Sequence, residues 1–122
     1  MSNSSDEDSR REEVFVKAIK SALLNLLGEP SAGVLEFHLE KRLRSEVYST
    51  FYNDPSKFYN ALRDFLGAGA DGILRILAQK LSDMGYLESR NQDEFVELVK
   101  RGDEEAKQRL RKMFKLKRAE ER

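Results

Sequence analysis

Apolar residues recur every three or four positions along most of this chain, the spacing that gathers side chains on one face of a helix. From Glu12 onward Phe15, Ala18, Ile19, Ala22, Leu23 and Leu26 share such a face, and Leu27-Gly28 stops it. After Glu29-Pro30-Ser31 a second helix is predicted, with Val34, Leu35, His38, Leu39 and Leu43 inward and Glu36, Glu40, Lys41 and Arg44 outward. Ser45–Asn53 is the least regular stretch. A strong start signal follows it: Asp54 as N-cap and Pro55 at the first helical position lead a stripe of Phe58, Ala61, Leu62, Phe65 and Leu66 that ends at Gly67. The next helix carries Ala70, Ile73, Leu74, Leu77, Leu81 and Met84 and closes at Gly85. Asn91 caps another, with Glu94 in the capping-box position and Phe95, Leu98 and Val99 inward. Beyond a break at Gly102-Asp103, a last charged helix is expected to run to about Arg118, with Ala106, Leu110, Met113 and Phe114 on one side. No segment alternates with period two over the length of a strand. The expected fold is therefore all-α, a compact bundle of five to six helices with no sheet.

Composition narrows the class without naming an activity. A length of 122 residues suits one domain. Residues 1–10 are rich in Ser, Asp and Glu and lack apolar anchors, which predicts a disordered tail. Residues 11–90 are then the helical core domain, and 91–122 a helical extension packed on it with a charged end. Charged residues make up 36% of the chain, yet the formal net charge is zero, so no global field selects nucleic acid or a membrane surface. The absence of cysteine removes disulfides, thiol catalysis and thiolate metal sites, and suits a reducing compartment. With no apolar signal segment at the start and no run long enough to span a bilayer, the expected location is cytoplasmic, without a membrane partner.

The chemistry-bearing motifs are few. "FLGAGADGILRIL", Phe65 to Leu77, contains a literal G-x-G-x-x-G at Gly67, Gly69 and Gly72. A dinucleotide-binding turn needs a buried strand before these glycines, to aim backbone amides at a pyrophosphate. Here the preceding residues are helical by cap and by period, so the glycines read as a junction between helices, with Gly67 as a left-handed C-cap. His38, the single histidine, finds neither an acid–base partner nor a Glu three positions earlier, where Leu35 stands; a packed imidazole is expected. The carboxylates fall opposite apolar stripes or in first helical turns. No catalytic, cofactor-binding or metal-ligating residue is assigned, no cofactor is expected, and the chain does not read as an enzyme.

Two features stand out from this background. Six of the eleven aromatic residues lie between Tyr48 and Phe65, and Tyr48, Phe51 and Tyr52 fall in the irregular stretch, where they read either as core or as the lining of a pocket or interface. Together with Leu110, Met113 and Phe114 they form two exposed-looking apolar sets, more than a small monomer leaves in water, so a homodimer or another protein partner is expected. The second feature is "KQRLRKMFKLKR", with seven bases and no acid. Lys107, Arg111, Lys115 and Arg118 share one side of it and form the candidate nucleic-acid strip, though acidic residues at 103–105 and 120–121 flank it and should keep binding weak. The same bases suit the dipole at the end of a solvated helix. "ILRILAQKLSDMGYLESR" has a superficial likeness to the last helix and first wing strand of a winged helix, with Gly85-Tyr86-Leu87 as the turn. Its bases would be only Arg75 and Lys80, and Phe95, Leu98 and Val99 keep helical spacing where a returning strand should alternate.

The middle of the chain also resembles a family. A first helix ending in Leu-Gly, then "LEFHLEKR" at Leu35 to Arg42, Pro-x-x-Phe-x-x-Ala-Leu at Pro55 to Leu62, and Phe-x-Gly-x-Gly-Ala at Phe65 to Ala70 are similar to small archaeal domains of the NitrOD type, over roughly residues 13 to 82. Those domains are described as output domains of signalling proteins, of unknown function. The resemblance implies a helical fold and a regulatory role, and it carries no catalytic residues. The sequence thus points to a non-catalytic, self-associating helical interaction module, with a nucleic-acid-binding protein as the alternative.

Overall fold

The computed structural model describes residues 2–88 and 91–114, with side chains from residue 7 onward. Within them the chain forms α1 (Ser2–Leu27), α2 (Glu29–Leu43), α3 (Val47–Asn53), α4 (Pro55–Leu66), α5 (Gly69–Asp83), α6 (Gln92–Arg101) and α7 (Glu104–Met113). There are seven helices and no sheet among the described residues. The all-α expectation holds, and the count exceeds it by the helix the sequence reading left irregular.

That extra helix is α3. Its residues, VYSTFYN, are β-branched, aromatic or polar, with weak helix propensity, and seven of them are too few to display a stripe. Packing overrides propensity: Val47, Tyr48, Phe51 and Tyr52 are all buried, and the Glu46 carboxylate caps the helix by accepting from the Ser49 amide at 2.7 Å. The other caps follow the sequence. Asp54 accepts from Lys57, Asn91 from Glu94 and Asp103 from Ala106, each satisfying an amide that has no partner within its helix.

Two ends differ from expectation. The tail predicted over residues 1–10 is instead helical from Ser2, as the first turns of α1. Extending a helix already nucleated costs far less than starting one, and the N-terminal half of α1 is tied to α3: the Tyr52 hydroxyl donates to Asp8 at 3.4 Å, and the Asn53 amide to Glu12 at 3.5 Å. At the other end α7 stops at Met113, short of Arg118. Phe114 turns to an extended conformation and its ring packs on Phe15, 4.8 Å between centroids. Its backbone pairs with Leu87 in a single antiparallel bridge, which stands where the winged-helix reading placed a wing strand. Residues 115–122 lie outside the described residues.

One hydrophobic core draws on all seven helices, with α6 and α7 contributing Phe95, Leu98, Val99, Ala106 and Leu110 to the cluster that α1 to α5 build. The G-x-G-x-x-G segment sits between α4 and α5 with no strand before it, so it makes a helix junction. Gly67 has φ 64° and ψ −137°, positive in φ as expected of a C-cap but outside the left-handed helical well that a side chain can occupy. Gly102, at φ 63°, closes the turn between α6 and α7 so tightly that an added Cβ would lie 2.5 Å from the Ser56 Cβ at the start of α4. Gly67→Ala and Gly102→Ala are each expected to cost about 1–3 kcal/mol in denaturant unfolding. Gly69→Ala, inside α5 with open space around it, should be neutral or stabilising.

Candidate functional site

The structure relocates the residues that the sequence singled out as an interaction surface. Tyr48, Phe51 and Tyr52 are at most 3% exposed, Leu110 is 2% and Met113 9% exposed, and Phe114 packs against the core. These residues pack into the core, with Phe114 partly buried at its edge. The expectation failed because a short helix, invisible in the pattern, turns three aromatic side chains inward. Phe51 stacks on Phe58 at 4.0 Å and meets Phe15 edge-on at 5.1 Å.

The tyrosine hydroxyls end in hydrogen bonds to carboxylates. Tyr48 donates to Glu36 at 2.5 Å and Tyr59 to Asp71 at 2.6 Å. Burial, together with the Glu36 carboxylate, pushes the Tyr48 phenol well up from its ordinary value; burial also raises Tyr52, and the Asp71 hydrogen bond raises Tyr59. The Tyr59 hydroxyl and the Lys100 ammonium, 3.3 Å away, hold the Asp71 carboxyl below the usual carboxylate range. This trio ties α4, α5 and α6 together.

The basic strip is dismantled in a similar way. Arg111 lies over the Tyr52 ring at 4.0 Å and donates to the Tyr52 carbonyl at 3.2 Å, so its guanidinium faces inward. Lys107 pairs with Glu104 at 3.5 Å, and Arg109 with Glu94 at 2.6 Å. Lys115 and Arg118 lie outside the described residues. Beside Arg111 a gap of about 10 Å³ has room for roughly one water. The Arg111 Nε, buried there, makes no hydrogen bond to any described residue. Among the described residues no three His, Asp or Glu side chains gather as metal ligands, and no helix is long and apolar enough to cross a membrane. His38 is half-buried and stacks on Phe65 at 4.5 Å.

A different surface has the properties of a site. An open groove of about 330 Å³ runs between helix ends. Leu27 of α1 and Pro30, Ser31, Val34 and Leu35 of α2 form one wall; Phe65 and Leu66 of α4 and Ile73 of α5 form the other. Five large hydrophobic side chains are exposed among the described residues: Leu24 at 47%, Val34 at 54%, Phe37 at 58%, Leu66 at 36% and Ile76 at 52%. Val34 and Leu66 line the groove. Each of the other three stands one helical turn from a lining residue on its own helix: Leu24 from Leu27, Phe37 from Val34 and Ile76 from Ile73. Two of the five thus line the groove and the other three neighbour its lining, exposed apolar surface of the kind that marks interaction sites.

Glycine marks the same face. Gly33 in α2 and Gly72 in α5 sit inside helices, and a Cβ added to either would meet nothing within 4 Å. Helix-interior glycine costs about 0.5–1 kcal/mol relative to alanine, and no contact within the monomer calls for it here. Cations flank the patch: Lys41 lies 5.3 Å from the Phe37 ring, and Arg42 5.3 Å from the Phe65 ring.

The sequence pattern misplaced Val34 and Leu66, assigning both to inward stripes, and passed over Leu24, Phe37 and Ile76. The signal for those last three was present as apolar residues left over once every stripe has been assigned to the core. Comparison with known proteins adds no relative, for the chain matches no family model, no curated protein and no solved structure.

Two measurements check this assignment. Phe51→Ala should destabilise the fold by about 3–5 kcal/mol as a core truncation, while Phe37→Ser or Ile76→Ser should stay within about 0.5 kcal/mol as surface changes. For pH, the three tyrosines hold their protons to higher pH when folded than when unfolded. Their stabilising contribution is whole below about pH 10, the unfolded value, and is lost as pH rises toward the folded values. Thermal melts should therefore show the midpoint falling above about pH 10, and Tyr48→Phe should flatten that fall.

Proposed function

We propose that this chain is a non-catalytic helical interaction module that works in the cytoplasm by docking a protein on the apolar face formed by α1, α2, α4 and α5. The observation that carries the reading is an apolar groove lined by the exposed Val34 and Leu66, with the other exposed large hydrophobic side chains among the described residues, Leu24, Phe37 and Ile76, each one helical turn from a lining residue. Scattered apolar residues would need no explanation, but a contiguous patch beside a groove is how soluble proteins present binding surfaces. The two helix-interior glycines support it, because they let another backbone come close. The lack of cysteine fits a reducing compartment. The resemblance to archaeal output domains fits a regulatory module that transmits a signal by association rather than by chemistry. Nucleic-acid binding is the weaker alternative, since Arg111 and Lys107 are already engaged within the molecule.

The test is site-specific photo-crosslinking with the full chain in the cells that make it. A photoreactive residue at position 34 or 76 should give discrete protein adducts. The same residue at position 97, exposed on α6 away from the groove, should give none. Equal labelling at all three positions, or none at 34 and 76, would remove the interaction reading.

A further inference from the structure

The exposed seam of α2 specifies what covers it. Pro30, Val34, Phe37 and Lys41 are all exposed and follow one another at spacings of four, three and four residues, the heptad rhythm of helices that pair along their length. Gly33 lies beside them with open space where a side chain would be. The ends of the helix are oppositely charged: Glu29 stands in the first turn, and Lys41 and Arg42 in the last.

Such a helix complements its own antiparallel copy. Placing a twofold axis midway between Val34 and Phe37 sets Val34 against the partner's Phe37. At 1.5 Å per residue, Glu29 and Lys41 lie at similar distances from that axis, about 10 Å and about 8 Å along the helix. Glu29, on the flank of α2 that carries Glu36, therefore comes within reach of the partner's Lys41 at the edge of the seam, and the same contact repeats at the other end. The helix dipoles oppose, and Gly33 allows the axes to approach closely. With zero formal net charge, the chain has no long-range repulsion to keep two copies apart. Val34 and Phe37 form the apolar centre of the contact, and the groove walls and the charged ends of α2 extend it toward the ~800 Å² that each partner buries in a standard interface.

The chain's own C-terminal segment is a poor occupant by comparison. Residues 115–122, KLKRAEER, are almost wholly charged. They follow Phe114, which packs on Phe15, twelve residues before Leu27 along α1 and so about 18 Å from the groove.

We infer that the partner on this face is a second copy of the chain, paired through antiparallel α2 helices about a twofold axis between Val34 and Phe37. This rests on the interaction reading above and adds to it the identity and register of the partner.

The test uses sedimentation equilibrium on the full-length protein and a charge-swapped pair of variants. Wild type should dimerise, and Phe37→Ser should be monomeric with an unchanged melting curve at low concentration. Glu29→Lys alone, or Lys41→Glu with Arg42→Glu, sets like charges against each other at both ends of the pairing, and each should weaken dimerisation at least tenfold. Mixing the two variants sets opposite charges together at both ends, so the mixture should form heterodimers at close to wild-type affinity. A wild-type monomer at high micromolar concentration overturns the inference. So do charge variants that dimerise like wild type, or a mixture that gains nothing. If the chain proves monomeric while positions 34 and 76 still crosslink to a different protein, the self-pairing fails and the interaction reading stands.

Discussion

The structure depends on the burial of Phe51. Its ring has no exposed surface and is held between Phe58, stacked at 4.0 Å, and Phe15, edge-on at 5.1 Å. That contact fixes α3 against α1 and α4 at once, although α3 has only seven residues and could not persist alone in water. Once α3 is in place, Tyr52 can anchor both Asp8 of α1 and the Arg111 guanidinium of α7, and Tyr48 can reach Glu36 on α2. Each of those polar contacts is modest where solvent reaches it. They become specific because the apolar wedge beneath them leaves the side chains few other places to go.

How much of this was legible in the sequence follows from which signals are local. Caps are local, and Asp54, Asn91 and Asp103 mark three helix starts where the structure has them. Stripes in long helices are nearly local, so the cores of α1, α4, α5 and α6 could be read directly. The N-terminal turns of α1 could not, because they follow from a neighbouring helix rather than from their own Ser- and Asp-rich composition. Neither could α3, whose burial depends on residues far along the chain. The same gap explains the misplaced interface: an aromatic cluster with no visible helix beneath it looks exposed. Val34 and Leu35 are both read as inward in the sequence, yet one position along a helix is a 100° turn, and here it separates core from surface.

What remains after the core is satisfied is therefore informative. A helix needs only one stripe to hold its place, so Phe37 and Ile76, on the outer sides of α2 and α5, stand outside the core and keep apolar surface in water. The cluster formed by Phe37, His38, Phe65 and the two cations above their rings gives this face an aromatic, partly charged edge beside an aliphatic groove. Such a border favours a partner that brings an apolar centre and acidic flanks, since unpaired cations would be left against an apolar surround.

The three glycines of the G-x-G-x-x-G segment carry unequal physical demands. Gly67 is held at a pair of backbone angles closed to other residues, whereas Gly69 and Gly72 occupy ordinary helix with nothing where a side chain would go. Among divergent relatives the pattern should erode unevenly, with the first glycine persisting while the second and third drift wherever no partner backbone rests on them. A motif search weights three identical letters alike, and would lose such relatives even though the one position that shapes the turn had never changed.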